Sequence, residues 1–368
     1  MGISEQSWRL LDFETQDPKM CLAVSEAIFR CRRAGLSPNT LYLWHTAGPI
    51  ILFHSGPKHE MFPQSSRERK VELLRTPAVA GNRFFCDAGN INFSIVIDSR
   101  VLKPLLNEEY PPLLSEYQCL LDFFASGLRN LGIQVKVEPD GIYANADMEI
   151  ATAQAAWLID ILLFQGTVYA NTEMEKTKAA FPRDLTSLGA ELKRSVLPEE
   201  ILDIVLQGFE KKLNVTLEKK GLTDTEKKLI SRLYDTKYGT DQWHDKGKAP
   251  LLALTGETFV ALYVANPPTS KCRQLIERVR NAASSLGDEV KVVAWRRGMG
   301  AQQNPMELMP PAIITLSKAN ILPAVIINGE VKFALEVPLE DDIRKAIHNP
   351  DKFPDILGTL HGLRSKVG

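Results

Sequence analysis

Residues 75–97 read Arg-Thr-Pro-Ala-Val-Ala-Gly-Asn-Arg-Phe-Phe-Cys-Asp-Ala-Gly-Asn-Ile-Asn-Phe-Ser-Ile-Val-Ile. Gly81, Asn82 and Arg83 make a polar loop, Phe84 and Phe85 an apolar step, and Asp87-Ala-Gly-Asn90 a turn before the alternating run Ile91 to Ile97. The stretch predicts loop, strand, turn and strand. Glycine at 81 and 89 permits φ > 0 or a close approach of backbone to a ligand, which a side chain would block. Taken alone, the pattern describes an ordinary hairpin.

On the N-terminal side, Asp17 and Pro18 suit the N-cap and first position of a helix, and Met20, Val24, Ala27, Ile28 and Cys31 follow at helical spacing up to Gly35. Leu41 to Trp44 and Ile50 to Phe53 read as strands joined through Thr46-Ala-Gly-Pro49. His45, His54 and His59 fall close together but do not match a zinc motif, so they are expected to be solvated or core histidines. On the C-terminal side, Pro111 to Leu131 has the spacing of a long amphipathic helix. Ile133 to Val137 reads as a strand, and Ile142 to Val168 as further strands around Asn145-Ala-Asp147. This alternation predicts an α/β (α+β) fold, a mixed sheet with helices on one face.

The whole chain has 368 residues, enough for two or three domains, and its 44% hydrophobic and 24% charged content is that of an ordinary globular protein. Apolar runs such as Ala155 to Phe164 are too short to span a bilayer, and Met1 to Glu14 lacks a signal pattern, so no membrane association and a cytoplasmic location are expected. The five cysteines are scattered with no C-x-x-C, which indicates neither a disulfide framework nor a metal site. A net charge of -1 leaves no electrostatic footprint for nucleic acid.

Asp87-Ala-Gly-Asn90-Ile-Asn92-Phe93-Ser94 resembles the "histidine, aspartate, x, glycine, asparagine, x, x, phenylalanine" segment of the lipoate–protein ligases and the lipoyl or octanoyl transferases. Further on, Gly141 to Gln154 and Phe164-Gln-Gly-Thr167 are similar to that family's lysine-bearing strand and its "histidine, histidine, glycine, threonine" strand. The resemblance implies a biotin/lipoate-ligase-like fold over 1–185 and a helical accessory segment over 186–250, the latter carrying Leu185-Thr-Ser187-Leu and Asp241-Gln-Trp243. It implies a pocket for lipoate or octanoate lined by Gly81, Asn82, Arg83, Asp87, Asn90, Gln154, Gly166 and Thr167, with a lipoyl carrier protein as partner.

The chain departs from the family where the chemistry is hardest. Met148 or Glu149 falls where the lysine belongs, and no lysine occurs between Lys136 and Lys176. Thr76 and Pro77 stand in place of an arginine pair, and Val79-Ala-Gly-Asn82 replaces Ser-Gly-Gly-Gly. Forming an acyl adenylate gathers negative charge that preorganised positive donors must stabilise. The expected function is therefore binding of an acyl group or carrier domain without adenylate formation and without use of ATP. An active transferase using other residues is the alternative. Cys86, in place of the family's histidine, is read as a buried structural cysteine, with a thiol acyl acceptor as the sharper alternative.

Residues 251–368 read as strand Phe259–Val264, helix Ser270–Leu286, strand Val290–Trp295, a hairpin around Asn328-Gly329 and a helix opening at Pro338. This order resembles the thioredoxin and glutaredoxin fold, which implies a cis peptide at Pro323. Thr269 occupies the place of the nucleophilic cysteine and leaves only Cys272, so disulfide exchange within the motif cannot occur. A structural module is expected. A one-cysteine mixed disulfide at Cys272, or a redox adaptor or scaffold role, is the alternative.

Overall fold

The computed structural model describes residues 6–11, 17–54, 71–78, 80–106, 111–158, 160–172, 177, 181, 183–197, 199–200, 203, 210, 212–247, 249, 258–287, 290–298, 311–327 and 329–356. His59 and most of the helix expected from Pro198 to Phe209 lie outside them. The chain divides into two compact units: Met1–Ile230 with His244–Lys246, and Ser231–Trp243 with Gly247–Gly368. Among the described residues no helix is long and apolar enough to cross a membrane.

The first unit is built on β1 (Gln6–Leu11), α1 (Pro18–Arg33), β2 (Thr40–Trp44), β3 (Ile50–Phe53), β4 (Glu72–Arg75), β5 (Ala80–Gly81), β6 (Phe84–Cys86) and β7 (Asn90–Asp98). These are followed by α2 (Pro112–Asn130), β8 (Lys136–Glu138), β9 (Gly141–Tyr143), β10 (Glu149–Leu158), β11 (Ile161–Tyr169), α3 (Leu188–Leu192), β12 (Val215–Lys219) and α4 (Asp224–Leu233). One large sheet runs β12-β1-β2-β7-β11-β10-β9-β8, with β5 also paired to β10. β1 is parallel to both its neighbours, and from β2 onward the pairs are antiparallel. A second, small sheet runs β4-β3-β6.

Two expectations are corrected here. β6 and β7 do not form a hairpin: β6 pairs with β3 in the small sheet and β7 with β2 and β11 in the large one. The turn at Asp87–Asn90 is closed by the Asp87 carboxylate, which accepts from Gly89 N–H at 2.9 Å, and it carries the chain from one sheet to the other. Nor do the helices share one face of the large sheet. Phe93 on β7 and Phe164 on β11 stack at 5.8 Å, and Phe93 stacks on Phe124 of α2 at 4.2 Å, which makes one face an aromatic core. The opposite face, at Ser94, meets Ser25 of α1 at 2.8 Å. Both sides of β7 are consequently buried along its whole length.

The start of α1 follows its sequence signals: the Asp17 carboxylate accepts from Lys19 N–H at 2.9 Å, Pro18 opens the helix, and Gly35 beyond its end has φ +74°. At α4 the Thr223 hydroxyl accepts from Glu226 N–H at 3.2 Å while Glu226 accepts from Thr223 N–H at 2.7 Å, a reciprocal cap. Glu226 also receives both guanidinium N–H groups of Arg9, at 2.8 and 2.5 Å, and the Ser37 hydroxyl at 2.5 Å. The helix is thereby fastened to β1 by a fully buried ion pair.

After α5 (Asp241–Lys246), the second unit contains β13 (Thr258–Val264), α6 (Ser270–Ser284), β14 (Val290–Arg296), α7 (Pro311–Ala319), β15 (Ala324–Ile327), β16 (Glu330–Ala334) and α8 (Glu340–His348). The sheet order is β14-β13-β15-β16, with β13 and β14 parallel and the other pairs antiparallel. Two apolar clusters, one around Val260, Cys272, Leu275 and Ile343 and the other around Tyr263, Trp295, Ile313 and Leu316, bury its two faces. The Leu322–Pro323 peptide is cis.

Candidate functional site: a buried polar face beneath the first helix

Side chains alternate across a strand, so strand register decides which residues share the face turned to α1. Trp44 pairs with Asn92 and Asn92 with Thr167; Tyr42 pairs with Ser94 and Ser94 with Gln165. On β10, Gln154 pairs with Gln165 and Thr152 with Thr167. All belong to the face that carries Ser94, away from Phe93. The result is a continuous buried polar surface across four strands. The Ser25 hydroxyl bonds Cys21 O at 2.9 Å and Ser94 Oγ at 2.8 Å, and Gln165 Nε2 donates to Ser94 Oγ at 3.2 Å.

This chain of bonds stops short of completion. Among the described residues the Asn92 carboxamide has no partner for its nitrogen or its oxygen, and the Trp44 indole N–H and Gln165 Oε1 have none either. Trp44 and Gln165 are 1% exposed and Asn92 0%. A buried polar group left unpaired costs about 1–3 kcal/mol, and native proteins leave few of them. Three residues with such groups lie on neighbouring strands of one face.

The residues expected to line a pocket surround this face, and several are occupied with holding it together. Gln154 accepts from the Thr76 hydroxyl at 2.6 Å and donates to Asn82 O at 2.7 Å and Leu52 O at 3.4 Å. That fastens the loop before β6 against β10. Gly81 lies on that loop with φ +97°, where a Cβ would come within 2.5 Å of Ala153 O. Its carbonyl lies 2.9 Å from His54 Nε2. Asn82 donates to the Asp140 carboxylate at 2.9 Å, and Arg83 is exposed. Asn90, fully buried, donates to Phe85 O at 3.2 Å and accepts from the Thr172 hydroxyl. The Thr167 hydroxyl donates to Ile91 O at 3.5 Å. Gly166 belongs to the opposite face, where a Cβ would lie 2.4 Å from Phe93 Cζ and 2.3 Å from Thr152 O. Its bareness makes room for the aromatic core.

Cys86 is completely buried beside Thr167, and burial, with Asp87 adding to it, pushes its thiol well above the ordinary range. Among the described residues no group of three His, Cys, Asp or Glu could hold a metal ion. His45 is half-buried, and burial lowers its pKa.

The resemblance puts a lysine at Met148 or Glu149, and Glu149 is 2% exposed. Its carboxylate accepts from Arg183 Nη1 at 2.6 Å and from the Tyr169 hydroxyl at 3.1 Å. Burial raises its pKa to about 7, with Arg183 and Tyr169 pulling the other way. Arg75, a second cation near the loop, is already engaged: it lies 4.8 Å over the Phe53 ring and donates to His54 O at 3.3 Å.

Sequence reasoning passed over Trp44, Asn92, Ser94, Gln165 and Arg183. The signal for Asn92, Ser94 and Gln165 was available in Asn90-Ile-Asn92-Phe-Ser94 and Gln165-Gly-Thr167-Val-Tyr169, two runs with polar groups at every second position. Such alternation ordinarily marks a solvated face, and here α1 covers it.

The family model for the lipoyl protein ligase A/B catalytic domain matches residues 17–210. The chain is 23% identical to lipoate-protein ligase A subunit 1 of Thermoplasma acidophilum, over 64% of this chain and 95% of that protein. It is also 23% identical to the octanoyltransferase LipM of Symbiobacterium thermophilum, over 65% of this chain and 98% of that one. In fold it is similar to the bi-partite lipoate protein ligase of Thermoplasma acidophilum, solved in a study of that ligase and its E2 lipoyl domain. The TM-score is 0.54 at 19% identity, covering 65% of this chain and 96% of the other. The large sheet, the turn into β7 and the match across 17–210 converge on one conclusion: the chain belongs to the lipoyl protein ligase A/B catalytic domain family.

Proposed function

We propose that the first unit binds an octanoyl- or lipoyl-type acyl group, alone or on a lipoyl carrier domain, and does not form the acyl adenylate. One observation carries this reading: Met148 or Glu149 falls where the resemblance puts the family's lysine, neither can supply its charge, and Glu149 is buried and committed to Arg183 and Tyr169. An adenylate gathers negative charge on its phosphate and carbonyl oxygens, and a carboxyl group already bonded to Arg183 and Tyr169 supplies no positive donor for it. The bond from the Thr76 hydroxyl to Gln154 supports the same reading, since it commits a donor of this loop to the sheet. The names of the relatives, a lipoate-protein ligase and an octanoyltransferase, support the acyl class. The structural neighbour's own lipoyl domain supports a carrier as partner.

Incubating the protein with lipoate, ATP and a lipoyl carrier protein tests this. No lipoate-dependent pyrophosphate and no mass gain on the carrier are expected, while calorimetry with octanoate or lipoate alone gives a binding isotherm. Pyrophosphate release that depends on lipoate overturns the loss of adenylation.

For the second unit we read a thioredoxin-like module without redox chemistry. The strand order β14-β13-β15-β16, with α6 following β13, supports the fold. Thr269 caps α6 by accepting from Cys272 N–H at 3.2 Å, and the Cys272 sulfur, 0% exposed, accepts from Ala265 N–H at 3.4 Å. A thiol so enclosed does not meet a disulfide. Iodoacetamide is expected to label Cys272 only after denaturation, read by peptide mass spectrometry against Cys272→Ser. Labelling of the native protein there would restore the mixed-disulfide reading.

A further inference from the structure

The acyl-binding reading leaves open what the buried end of the pocket recognises, and the unpaired groups beneath α1 bear on it. Trp44 lies directly opposite Asn92, and Gln165 opposite Ser94, one same-face step along β7. Asn92 stands between the other two, its Cβ about 5 Å from that of Trp44 directly opposite and about 7 Å from that of Gln165 on the diagonal, so a group lying over Asn92 has the indole on one side and the glutamine on the other. Together they present donors, the indole N–H and the Asn92 NH₂, and acceptors, the Asn92 and Gln165 oxygens. None carries a charge. A bare hydrocarbon or dithiolane end can satisfy neither kind, while an ionised end would be desolvated without a counter-charge from the three. A neutral group with a carbonyl oxygen and an N–H matches both.

We propose, resting on the acyl-binding reading, that Trp44, Asn92 and Gln165 form a specificity site for an acyl chain whose far end carries a carboxamide-type group. The ligand's carbonyl accepts from Trp44 Nε1–H and the Asn92 amide, and its N–H donates to Gln165 Oε1 or Asn92 Oδ1. Sites built to hydrogen-bond a ligand group reject analogues that lack it, because the buried partners are then left unpaired. No covalent step is involved.

Calorimetry on the full chain decides the matter with three probes: octanoate, lipoate and octanedioic acid monoamide. The monoamide is expected to bind at least about tenfold more tightly than octanoate, a difference of about 1.4 kcal/mol. In Trp44→Phe, which removes the indole N–H and keeps an aromatic ring, and in Asn92→Leu, that ratio is expected to fall toward about one. Circular dichroism establishes that each variant is folded, and Trp44→Phe keeps the test decisive should Asn92→Leu fail to fold. Octanoate or lipoate binding as tightly as the monoamide overturns this proposal and leaves the acyl reading standing. An unchanged ratio in a folded Trp44→Phe also overturns it. Absence of binding by all three overturns the acyl reading itself.

Discussion

Glu226→Ala is expected to destabilise the protein by about 3–5 kcal/mol, the cost of leaving one charge of a buried pair without its partner. The Arg9 and Glu226 side chains are 2% and 0% exposed, and the carboxylate gathers Arg9, Ser37 and the Thr223 amide. Removing it strands a guanidinium whose remaining partners among the described residues are Thr40 Oγ1 at 3.1 Å and Gly221 O at 3.2 Å. Urea unfolding monitored by circular dichroism measures the loss as a fall in the midpoint. The exposed Glu218–Lys220 pair is the control, and Glu218→Ala is expected to leave the midpoint nearly unchanged. Replacing both buried partners, as in Arg9→Met with Glu226→Leu, is expected to recover much of the loss, since no lone charge remains. If Glu226→Ala unfolds at the wild-type midpoint, the pair is not the fastening that the geometry describes. Burial raises the Glu226 pKa, but the bonds from Arg9, Ser37 and Thr223 outweigh it and hold it below the ordinary 4.5. Its contribution is therefore present above pH 4.5 and lost as the solution is acidified.

Glu149 works in the opposite direction. Its pKa is raised in the folded protein from the ordinary 4.5 to about 7, so the folded state holds a proton that the unfolded state has released. The associated stability is present below pH 4.5 and is lost as pH rises through 7. About 1.4 kcal/mol per pKa unit makes the loss roughly 3 kcal/mol across that window. Glu149→Gln keeps the shape and cannot ionise, and its unfolding free energy is expected to stay nearly level from pH 5 to 8 while that of the parent protein declines. Parallel profiles for the two proteins would show that Arg183 keeps the carboxylate ionised throughout. The two buried carboxylates act in separate pH windows, and one series of urea melts resolves both.

Local signals were the legible part of this sequence. The Asp17–Pro18 start of α1, the long helix ending near Leu131 and the hairpin at Gly329 each depend on a few adjacent residues, and each lies within a residue or two of its expected place. What escaped depends on partners far away in the chain. β12 is Val-Thr-Leu-Glu-Lys, whose charged end reads as solvated surface until β1 is known to lie beside it. The partner of Glu149 escaped as well, because Arg183 is 34 residues distant. The polar face was hidden for a related reason: alternation tells which residues share a side, while only the packing of α1 tells that the side is dry.

The pairing of β12 with β1 sets where this protein can be divided. The family match ends at residue 210, yet the strand that completes the edge of the sheet begins at Val215, and the carboxylate that neutralises Arg9 lies beyond that, at Glu226. On the ribosome, β1 is made first and its outer neighbour is supplied only much later in synthesis. Until then the nascent chain exposes a row of unpaired backbone groups, the kind of edge that recruits other strands. A cut placed at residue 210 would make that interval permanent.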